Sequence, residues 1–545
     1  MPFSLAQVID TIASANPDRD AIVIGNQRYT NAQLHERCRR LANYLLSQGL
    51  VVEKERDELE GHESGQAHLA LYLYNGNEYI EGMFGAFKAR VAPLNVNYRY
   101  VEEELLYLFD NSESRGVIYH AEFAPQIAAI RDRLPKLEVL IQVADDSGNS
   151  LLPGAVDYEE ALAQASAEEP PVDPSPDDLY ILYTGGTTGM PKGVLWRQDD
   201  IFVGAMGGRR QDGTIIESPE ALAEQASAGP EQRSLCGPPL MHGAAQWGTV
   251  NGMTTGTTAV FASEVRKFDA RNYLEAAERE RVIGMTIVGD AFARPIVDEL
   301  RTGDYDLSSL NLIANGGASL SQSSKEALLE IFPTIVIIDG MGSSEGGTQG
   351  MSISTKGNVN VGKFNAAVDS VIVSEDLSKV LDPSDASLGW LAMRGRKPLG
   401  YFRDAEKTAR TFPTIEGQRY SVPGDRASYR EDGGIDLLGR DSMCINSGGE
   451  KIFAEEVEEA LKCHADVFDT LVAPRPSDRW GQEVVAVVAL REGASPDEAA
   501  LRAEVERHVA RYKLPKVFVF VDAIQRSPSG KADYRWAKAQ AEASA

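Results

Sequence analysis

Glycine, threonine and lysine are concentrated in residues 183–194, which read YTGGTTGMPKGV. Glycines allow backbone N–H groups to approach a ligand closely, and successive exposed N–H groups form a concavity that binds anions. Threonine hydroxyls add hydrogen-bond donors, and Lys192 adds a positive charge suited to phosphate. The apolar run 179–183 predicts a buried strand that leads into this loop, which places the loop at the carboxyl edge of a sheet, where α/β proteins bind ligands. The expected ligand is a polyphosphate, in the form of a nucleotide.

The loop is not of the Walker A type, in which glycine precedes the lysine and Ser or Thr follows it, because Pro191 and Gly193 flank Lys192 here. A loop rich in glycine and threonine can also be no more than a flexible turn. However, the twelve residues resemble the phosphate loop of the adenylate-forming superfamily, which includes acyl-CoA synthetases, adenylation domains of peptide synthetases and luciferases. The serine that usually follows the first threonine is replaced by Gly185, which removes one hydroxyl donor.

Further segments resemble motifs of the same superfamily in the same order, and together they span most of the chain. They are 315–319 (NGGAS), 342–345 (GSSE), 420–425 (YSVPGD), 439–440 (GR), 445–452 (INSGGEKI) and 526–531 (RSPSGK). Each one alone would be read as an ordinary turn or a surface segment. Their order along one chain implies a shared site for ATP, a small-molecule carboxylic acid and coenzyme A. The residues that the resemblance assigns to ATP or coenzyme A are Thr184, Gly185, Gly186, Thr187, Thr188, Gly189, Lys192, Gly316, Gly317, Ala318, Met341, Gly342, Ser343, Ser344, Asp425, Arg440, Gly448, Gly449 and Lys451.

Within this set the resemblance implies separate roles. Met341 stands where the family has an aromatic residue that packs on adenine, and the hydroxyl of Ser344 would contact the α-phosphate. Asp425 would accept hydrogen bonds from the ribose hydroxyls. Glu345 would hold Mg²⁺, with Thr188 as a second ligand, since this hard cation prefers oxygen ligands and retains several waters.

Three residues are predicted to take part in the chemistry: Lys531, Glu345 and His242. Lys531 ends the segment that resembles the Pro-x-x-Gly-Lys motif, whose lysine would bridge the substrate carboxylate and the α-phosphate. His242 stands where the family often has an aromatic residue or histidine beside that carboxylate, and a structural histidine satisfied by backbone groups is an equal alternative. The implied reaction forms an acyl-adenylate and pyrophosphate, after which the thiol of coenzyme A displaces AMP. Between the two steps the C-terminal domain would rotate about Ser442, so that the Gly448–Gly449 face replaces Lys531.

Alternating strand and helix patterns predict an α/β protein. The predicted units are a large N-terminal domain over 1–438, made of two α/β lobes at about 1–170 and 177–365 and a β-rich part at about 368–438, and a small mobile α+β domain over 439–545. The proline-rich segment 169–176 is expected to link the two lobes. The charged segment 53–65 is expected to be a solvated surface loop.

The chain of 545 residues has 54 Lys and Arg against 81 Asp and Glu, a net charge of −27. This acidity argues against nucleic acid and anionic membrane surfaces as partners, although local positive sites can still bind ATP or coenzyme A. The 4 cysteines show no metal-binding spacing, and no apolar run approaches the roughly 20 residues of a spanning helix. We therefore expect a cytoplasmic enzyme without an integral membrane segment. Its oligomeric state is left open, and a homodimer is one possibility.

The acid substrate is defined less closely than the reaction. The expected acyl pocket has mostly small or apolar residues, which indicates a roomy hydrophobic cavity. Segments 196–198, 289–295 and 444–446 resemble the branch that activates steroid side-chain and long or branched acids. We expect such an acid, with aryl or medium-chain acids as the alternative. A carrier-loading adenylating enzyme and a non-catalytic nucleotide-binding protein are the other two classes considered. The expected pocket residues are Trp247, Gly248, Met253, Thr254, Ile287, Val288, Gly289, Asp290, Ala291, Phe292 and Ala293.

Overall fold

A computed structural model describes residues 2–184, 190–210, 212–440, 444–447, 450–477, 481–526 and 531–544, with the backbone alone at 440, 446, 450 and 451. The strands, in chain order, are β1 (Asp20–Ile24), β2 (Gln27–Thr30), β3 (His68–Tyr72), β4 (Ala92–Asn95), β5 (Gly116–His120), β6 (Val139–Val143), β7 (Val156–Asp157), β8 (Leu179–Thr184), β9 (Lys192–Arg197), β10 (Gln232–Cys236), β11 (Thr257–Phe261), β12 (Gly284–Ile287), β13 (Leu312–Gly316), β14 (Val336–Ser343), β15 (Gly347–Ser354), β16 (Lys363–Ala366), β17 (Ser370–Val373), β18 (Gly389–Met393), β19 (Gly400–Tyr401), β20 (Thr414–Ile415), β21 (Gln418–Arg419), β22 (Asp425–Tyr429), β23 (Ile435–Arg440), β24 (Cys444–Ser447), β25 (Glu450–Phe453), β26 (Val467–Ser477), β27 (Gly481–Leu490) and β28 (Val517–Val521).

The α-helices are α1 (Leu5–Ala15), α2 (Asn31–Ser47), α3 (Asn77–Lys88), α4 (Glu102–Asn111), α5 (Ala124–Ile130), α6 (Tyr158–Gln164), α7 (Gln198–Ala205), α8 (Pro219–Ser227), α9 (Gly243–Thr254), α10 (Ala270–Arg279), α11 (Gly289–Thr302), α12 (Gln322–Ile331), α13 (Ala405–Thr411), α14 (Ala454–Lys462), α15 (Glu498–Glu506) and α16 (Tyr534–Ala543).

The first large sheet has eight strands in the order β19-β9-β8-β4-β3-β5-β6-β7. Neighbours from β8 to β7 pair in parallel, and β9 and β19 pair antiparallel. Every residue of β3, β4 and β6 is buried, as expected for parallel strands that are covered on both faces. Because β4 and β8 are parallel neighbours, their ends at Asn95 and Thr184 lie at the same edge of the sheet.

The second large sheet has thirteen strands in the order β17-β18-β22-β23-β16-β15-β14-β13-β12-β10-β11-β1-β2. Neighbours from β14 to β1 pair in parallel. β2 at one end and the strands from β15 to β17 at the other pair antiparallel. The strands predicted for the β-rich part are therefore a continuation of this sheet.

The predicted lobe boundary at 170–177 does not separate the two large sheets. β1 and β2 come from the N-terminal segment but join the thirteen-stranded sheet through β11. β8 and β9 follow the proline-rich segment but join the eight-stranded sheet through β4. Local composition marks a linker, whereas the partner of a strand depends on contacts with distant segments that composition does not encode.

The C-terminal part forms a five-stranded sheet in the order β25-β24-β27-β26, with β28 beside β27. Buried residues of α14 and α16 form apolar clusters against this sheet. The chain passes from the second large sheet to this one between Arg440 and Cys444. The α/β fold class with a small α+β C-terminal unit is confirmed, and the mobility of that unit stays a prediction. Throughout the described parts of the chain, every helix is too short or too polar to cross a membrane.

The charged segment 53–65 packs against a neighbouring turn, although many of its side chains are exposed as expected. The carbonyl of His62 accepts a hydrogen bond from the Arg403 N–H at 2.9 Å. Arg90 connects this segment to the eight-stranded sheet, since its guanidinium binds Glu55 at 2.8 Å and Asp178 at 2.9 Å. The segment therefore supports the turn after β19, which contributes to the site described next.

Candidate active site

The two ends of the Gly/Thr loop are held together by the antiparallel pairing of β8 with β9. The pair Thr184 and Lys192 closes this hairpin, at the edge where β8 and β4 end. Gly185, Gly186, Thr187, Thr188 and Gly189 lie outside the described residues, so their predicted contacts with phosphate, and that of Thr188 with Mg²⁺, stay predictions.

Lys192 forms an ion pair with Asp404, with Nζ 2.7 Å from Oδ2. Asp404 is also the N-cap residue of α13, and its Oδ1 accepts a hydrogen bond from the Lys407 N–H at 2.9 Å. Burial alone would raise the pKa of Asp404, but the hydrogen bonds from Lys192 and Lys407 outweigh it and lower that pKa. One aspartate thus ties the lysine of the phosphate loop to the start of a helix.

Glu345 lies in the turn between β14 and β15, and three side chains position this turn. The Tyr401 hydroxyl donates to Glu345 Oε1 at 2.7 Å, and the Ser421 hydroxyl donates to the Glu345 carbonyl at 2.6 Å. The indole N–H of the buried Trp196 donates to the carbonyl of Ser344 at 2.9 Å. A fixed carboxylate suits Mg²⁺, which needs few protein ligands because it keeps waters and binds phosphate oxygens. Among the described residues Glu345 is the one predicted ligand, and its carboxylate is of the oxygen type that the predicted metal prefers.

Lys531, from the C-terminal unit, lies over the glycine turn after β13. Gly317 has a φ of +84°, and a Cβ built on it would lie 3.9 Å from Lys531 Cε. Glycine suits this position because L side chains rarely adopt positive φ. Gly316 ends β13 and Ala318 follows the turn, so the predicted turn and the predicted lysine are adjacent although more than two hundred residues separate them.

His242 caps the start of α9 and lies near Lys531. Burial, with the charge of Lys531 as a second cause, lowers the pKa of His242 to about 3. Its Nε2 is buried and has no hydrogen-bond partner among the described residues. An unpartnered buried nitrogen disfavours a purely structural histidine, because buried polar atoms are normally satisfied.

The segment before Glu345 is tightly packed. Met341 is 6% exposed and belongs to an apolar cluster of the β-rich part. A side chain at Gly342 would collide with the chain, because a Cβ there would lie 2.6 Å from the carbonyl oxygen of Gly347. The hydroxyl of Ser343 is buried without a partner among the described residues. Packing of adenine on Met341 and contact of Ser344 with the α-phosphate stay predictions.

Of the residues predicted for ribose and for the second half-reaction, Asp425, Arg440 and Lys451 lie on strands that the structure describes. Asp425 and Arg440 are paired neighbours on β22 and β23, so the backbone brings them together. Lys451 is on β25, where the structure describes its backbone but not its side chain. Gly448, Gly449 and Ser442 lie outside the described residues.

The expected acyl pocket is only partly open. Met253, Ile287, Phe292 and several neighbours are buried in apolar clusters of the large unit. On α9, by contrast, Gly248 is exposed to solvent, and a Cβ built on it would have no neighbour within 4 Å. Asp290 is also buried, where its Oδ1 accepts hydrogen bonds from Ser321.

Family comparison agrees with this geometry. AMP-binding enzymes match residues 9–399, and the C-terminal domain of AMP-binding enzymes matches residues 456–531. The chain belongs to the AMP-binding enzyme family. The second match ends at Lys531, the residue that contacts the glycine turn of the first.

Relatives of this AMP-binding enzyme cover it almost completely. It is 56% identical to "Medium-chain acyl-CoA ligase Mig" from Mycobacterium avium over 99% of the chain and 98% of the relative. It is 41% identical to "Medium/long-chain-fatty-acid--CoA/3-oxocholest-4-en-26-oate--CoA ligase" from Mycobacterium tuberculosis over 99% of the chain and 96% of the relative. The anthranilate CoA ligase AuaEII, solved with anthranoyl-AMP, has the same fold with a TM-score of 0.83 at 19% identity, covering 99% and 98% of the two chains.

Sequence reasoning missed several residues that hold the site of this enzyme together. Tyr401 and Asp404 contact Glu345 and Lys192, and the available signal was only that an aspartate precedes a short helix, as N-cap residues do. No motif singled out Asn95, which ends β4. Its side chain accepts from the Tyr183 N–H at 2.7 Å and donates to the carbonyls of Tyr183 at 2.8 Å and Met241 at 2.7 Å.

Proposed function

We propose that this enzyme is an ATP-dependent acid–CoA ligase, which forms an acyl-adenylate and then an acyl-CoA thioester with release of pyrophosphate and AMP. The observation that carries the proposal is the placement of Lys531 over Gly317, in a molecule where Asp404 fixes Lys192 and Tyr401 fixes Glu345. A cation from a second unit at this place suits a reaction in which two anions must approach each other.

In the first step a carboxylate oxygen of the acid attacks the α-phosphorus of ATP, and the bond to pyrophosphate breaks. Lys531 would neutralise the carboxylate and the α-phosphate as they approach, which is positioning combined with electrostatic stabilisation. Lys192 would bind the departing phosphates. Mg²⁺ held by Glu345 would supply further neutralisation of phosphate charge.

In the second step the thiolate sulfur of coenzyme A attacks the acyl carbon, a thioester bond forms, and AMP leaves with the phosphate oxygen that carried the acyl group. Lys531 has no role in this step. We propose that the C-terminal unit turns about the connection between Arg440 and Cys444, which would bring β24 and β25 to the site. Such a hinge lets one site carry out two half-reactions in turn.

We propose a bulky hydrophobic acid, a steroid side-chain acid or a long or branched fatty acid, as the substrate. The name of the relative at 41% identity, which includes long-chain fatty acids and 3-oxocholest-4-en-26-oate, supports this class. Medium-chain acids are the second candidate, favoured by the relative at 56% identity. Coenzyme A as the acyl acceptor and a cytoplasmic location are part of the same proposal.

The test is to incubate the purified chain with MgATP, coenzyme A and a panel of acids, and to follow AMP and thioester by chromatography. The panel contains a cholestenoate, palmitate, a branched fatty acid, octanoate and benzoate. Equal formation of AMP and thioester with the first three is expected. Absence of AMP with every acid would favour a nucleotide-binding protein, and AMP formation only when a carrier protein replaces coenzyme A would favour carrier loading.

A further inference from the structure

Two lysine ammonium groups share one aromatic ring beside the phosphate loop. Lys407 Nζ lies 4.4 Å from the centre of the Tyr401 ring, and Lys192 Nζ lies 6.0 Å from the same point. The hydroxyl of that ring is the group that donates to Glu345. Lys407 was not singled out by any motif, since it lies within α13, far along the chain from the loop.

The two lysines differ in their partners. Lys192 is paired with Asp404 at 2.7 Å, whereas Lys407 forms no ion pair with any residue in the part of the chain that the structure describes. Lys407 is partly buried. Burial first, then the charge of Lys192, lower its pKa, although the negative charges of Glu345 and Asp404 oppose this shift. Two cations held close together in a partly buried place repel each other, and an anion bound between them would relieve that repulsion.

We infer that Lys407 is a second phosphate-binding cation of the nucleotide site, which with Lys192 binds the β- and γ-phosphates of ATP and the pyrophosphate that leaves. The inference rests on the proposed function and adds one phosphate-binding side chain to its ATP site. Asp404 positions both cations: its Oδ2 holds the Lys192 ammonium, and its Oδ1 holds the backbone N–H of Lys407. The ring of Tyr401 stabilises the pair by cation–π contact.

The test compares binding of pyrophosphate and of AMP by titration calorimetry in the presence of Mg²⁺. Lys407→Met is expected to weaken pyrophosphate binding about ten- to a hundredfold, the usual effect of losing a charged hydrogen bond, and to leave AMP binding unchanged because AMP lacks the β- and γ-phosphates. Lys407→Arg, which keeps the charge, is expected to stay within about threefold of the unmodified enzyme. Arg410→Met is the matched control, because Arg410 is exposed on the same helix and its one ion pair with a described residue is with Glu406. This variant is expected to change neither affinity.

The outcomes separate this inference from the proposed function. An unmodified enzyme that binds neither ATP nor pyrophosphate and releases no AMP would contradict the proposed function and the inference together. An active unmodified enzyme with a Lys407→Met variant of equal pyrophosphate affinity would overturn the inference alone. Equal loss of pyrophosphate and AMP binding in that variant, or an equal loss in Lys407→Arg, would also overturn it, since either would indicate a structural role.

Discussion

A neutral imidazole beside an ammonium group is the arrangement that His242 and Lys531 form. Burial and the positive charge of Lys531 both disfavour a charged His242, and its pKa falls to about 3. The imidazole can therefore act near neutral pH as an uncharged hydrogen-bond partner, while Lys531 supplies the charge. In the proposed first half-reaction, the substrate carboxylate would meet this charge and this neutral ring.

Replacement of Lys531 by alanine is expected to abolish adenylation and to leave ATP binding within about threefold. In the proposed reaction the charge of Lys531 would act where the carboxylate meets the α-phosphate, whereas other residues would bind the phosphate tail of ATP. ATP–pyrophosphate exchange with a substrate acid measures adenylation, and titration calorimetry measures ATP binding. Lys538→Ala on α16 is the control, because that lysine is 55% exposed. Exchange by Lys531→Ala near the rate of the unmodified enzyme would show that another group carries the first step.

The lowered pKa of His242 predicts a pH dependence. In the unfolded chain His242 has the ordinary histidine pKa of about 6.5. Between pH 6.5 and 3, His242 is therefore protonated in the unfolded chain and neutral in the folded enzyme. Its contribution to the stability of the folded state falls as the pH falls through this window. In a histidine-selective NMR spectrum, the His242 signal is expected to keep the shift of a neutral ring from pH 8 to 5. His242→Asn identifies the signal by its loss. A titration midpoint near 6.5 would contradict the assigned environment.

At the scale of elements, the site depends on one polar side chain that joins three segments. Asn95 ends β4 and pairs with both backbone groups of Tyr183, just before the phosphate loop, and with the carbonyl of Met241, just before His242. Only 5% of Asn95 is exposed, so its hydrogen bonds are made away from water. The side chain therefore sets the distance between the ATP side and the acid side of the site.

Asn95→Ala is expected to lower the rate of ATP–pyrophosphate exchange by about tenfold or more, with the KM for ATP and for the acid both raised. Each unsatisfied buried partner costs about 1–3 kcal/mol, and the two segments lose their common support. Asn75→Ala is the matched comparison, because Asn75 binds only the acid-side segment, at Pro238 and Leu240. It is expected to raise the KM for the acid and to leave that for ATP unchanged. Identical kinetic changes in the two variants would argue against a linking role for Asn95.

At the scale of the whole molecule, buried charges hold the C-terminal unit against α11. Arg294 is 6% exposed and donates to the backbone carbonyl of Val467 at 2.8 Å and to that of Phe468. Lys462 Nζ lies 3.6 Å from Oδ2 of Asp290. Burial alone would raise the pKa of Asp290, but Lys462 and Arg294 outweigh it and lower that pKa. These contacts favour the orientation in which Lys531 reaches the glycine turn.

Arg294→Met is expected to slow adenylation by roughly tenfold or more and to leave thioester formation from a supplied acyl-adenylate nearly unchanged. Loss of hydrogen bonds from a charged donor costs about 1.5–3 kcal/mol, and each 1.4 kcal/mol is about a factor of ten. ATP–pyrophosphate exchange and single-turnover thioester formation separate the half-reactions. Arg301→Met is the control, since Arg301 lies on the same helix but is exposed beside Asp298. Equal slowing of both half-reactions would show that Arg294 supports the fold of the large unit and not the orientation of the small one.

The sequence by itself predicted a phosphate-binding loop from its residue types and the α/β fold class from its alternating patterns. The reaction class followed from the resemblance of its ordered motifs to the adenylate-forming superfamily. The sequence also indicated that Lys531 acts at a distance, through the order of motifs. The partners of Lys192 and Glu345, the link through Asn95 and the sheet to which β1 and β8 belong were decided only by the tertiary structure. The Lys192–Asp404 contact joins residues 212 positions apart, and Asn95 and Tyr183 are 88 positions apart. Such contacts depend on which strands become neighbours and in which register, and that choice is made by the packing of the whole chain and not by any segment of it.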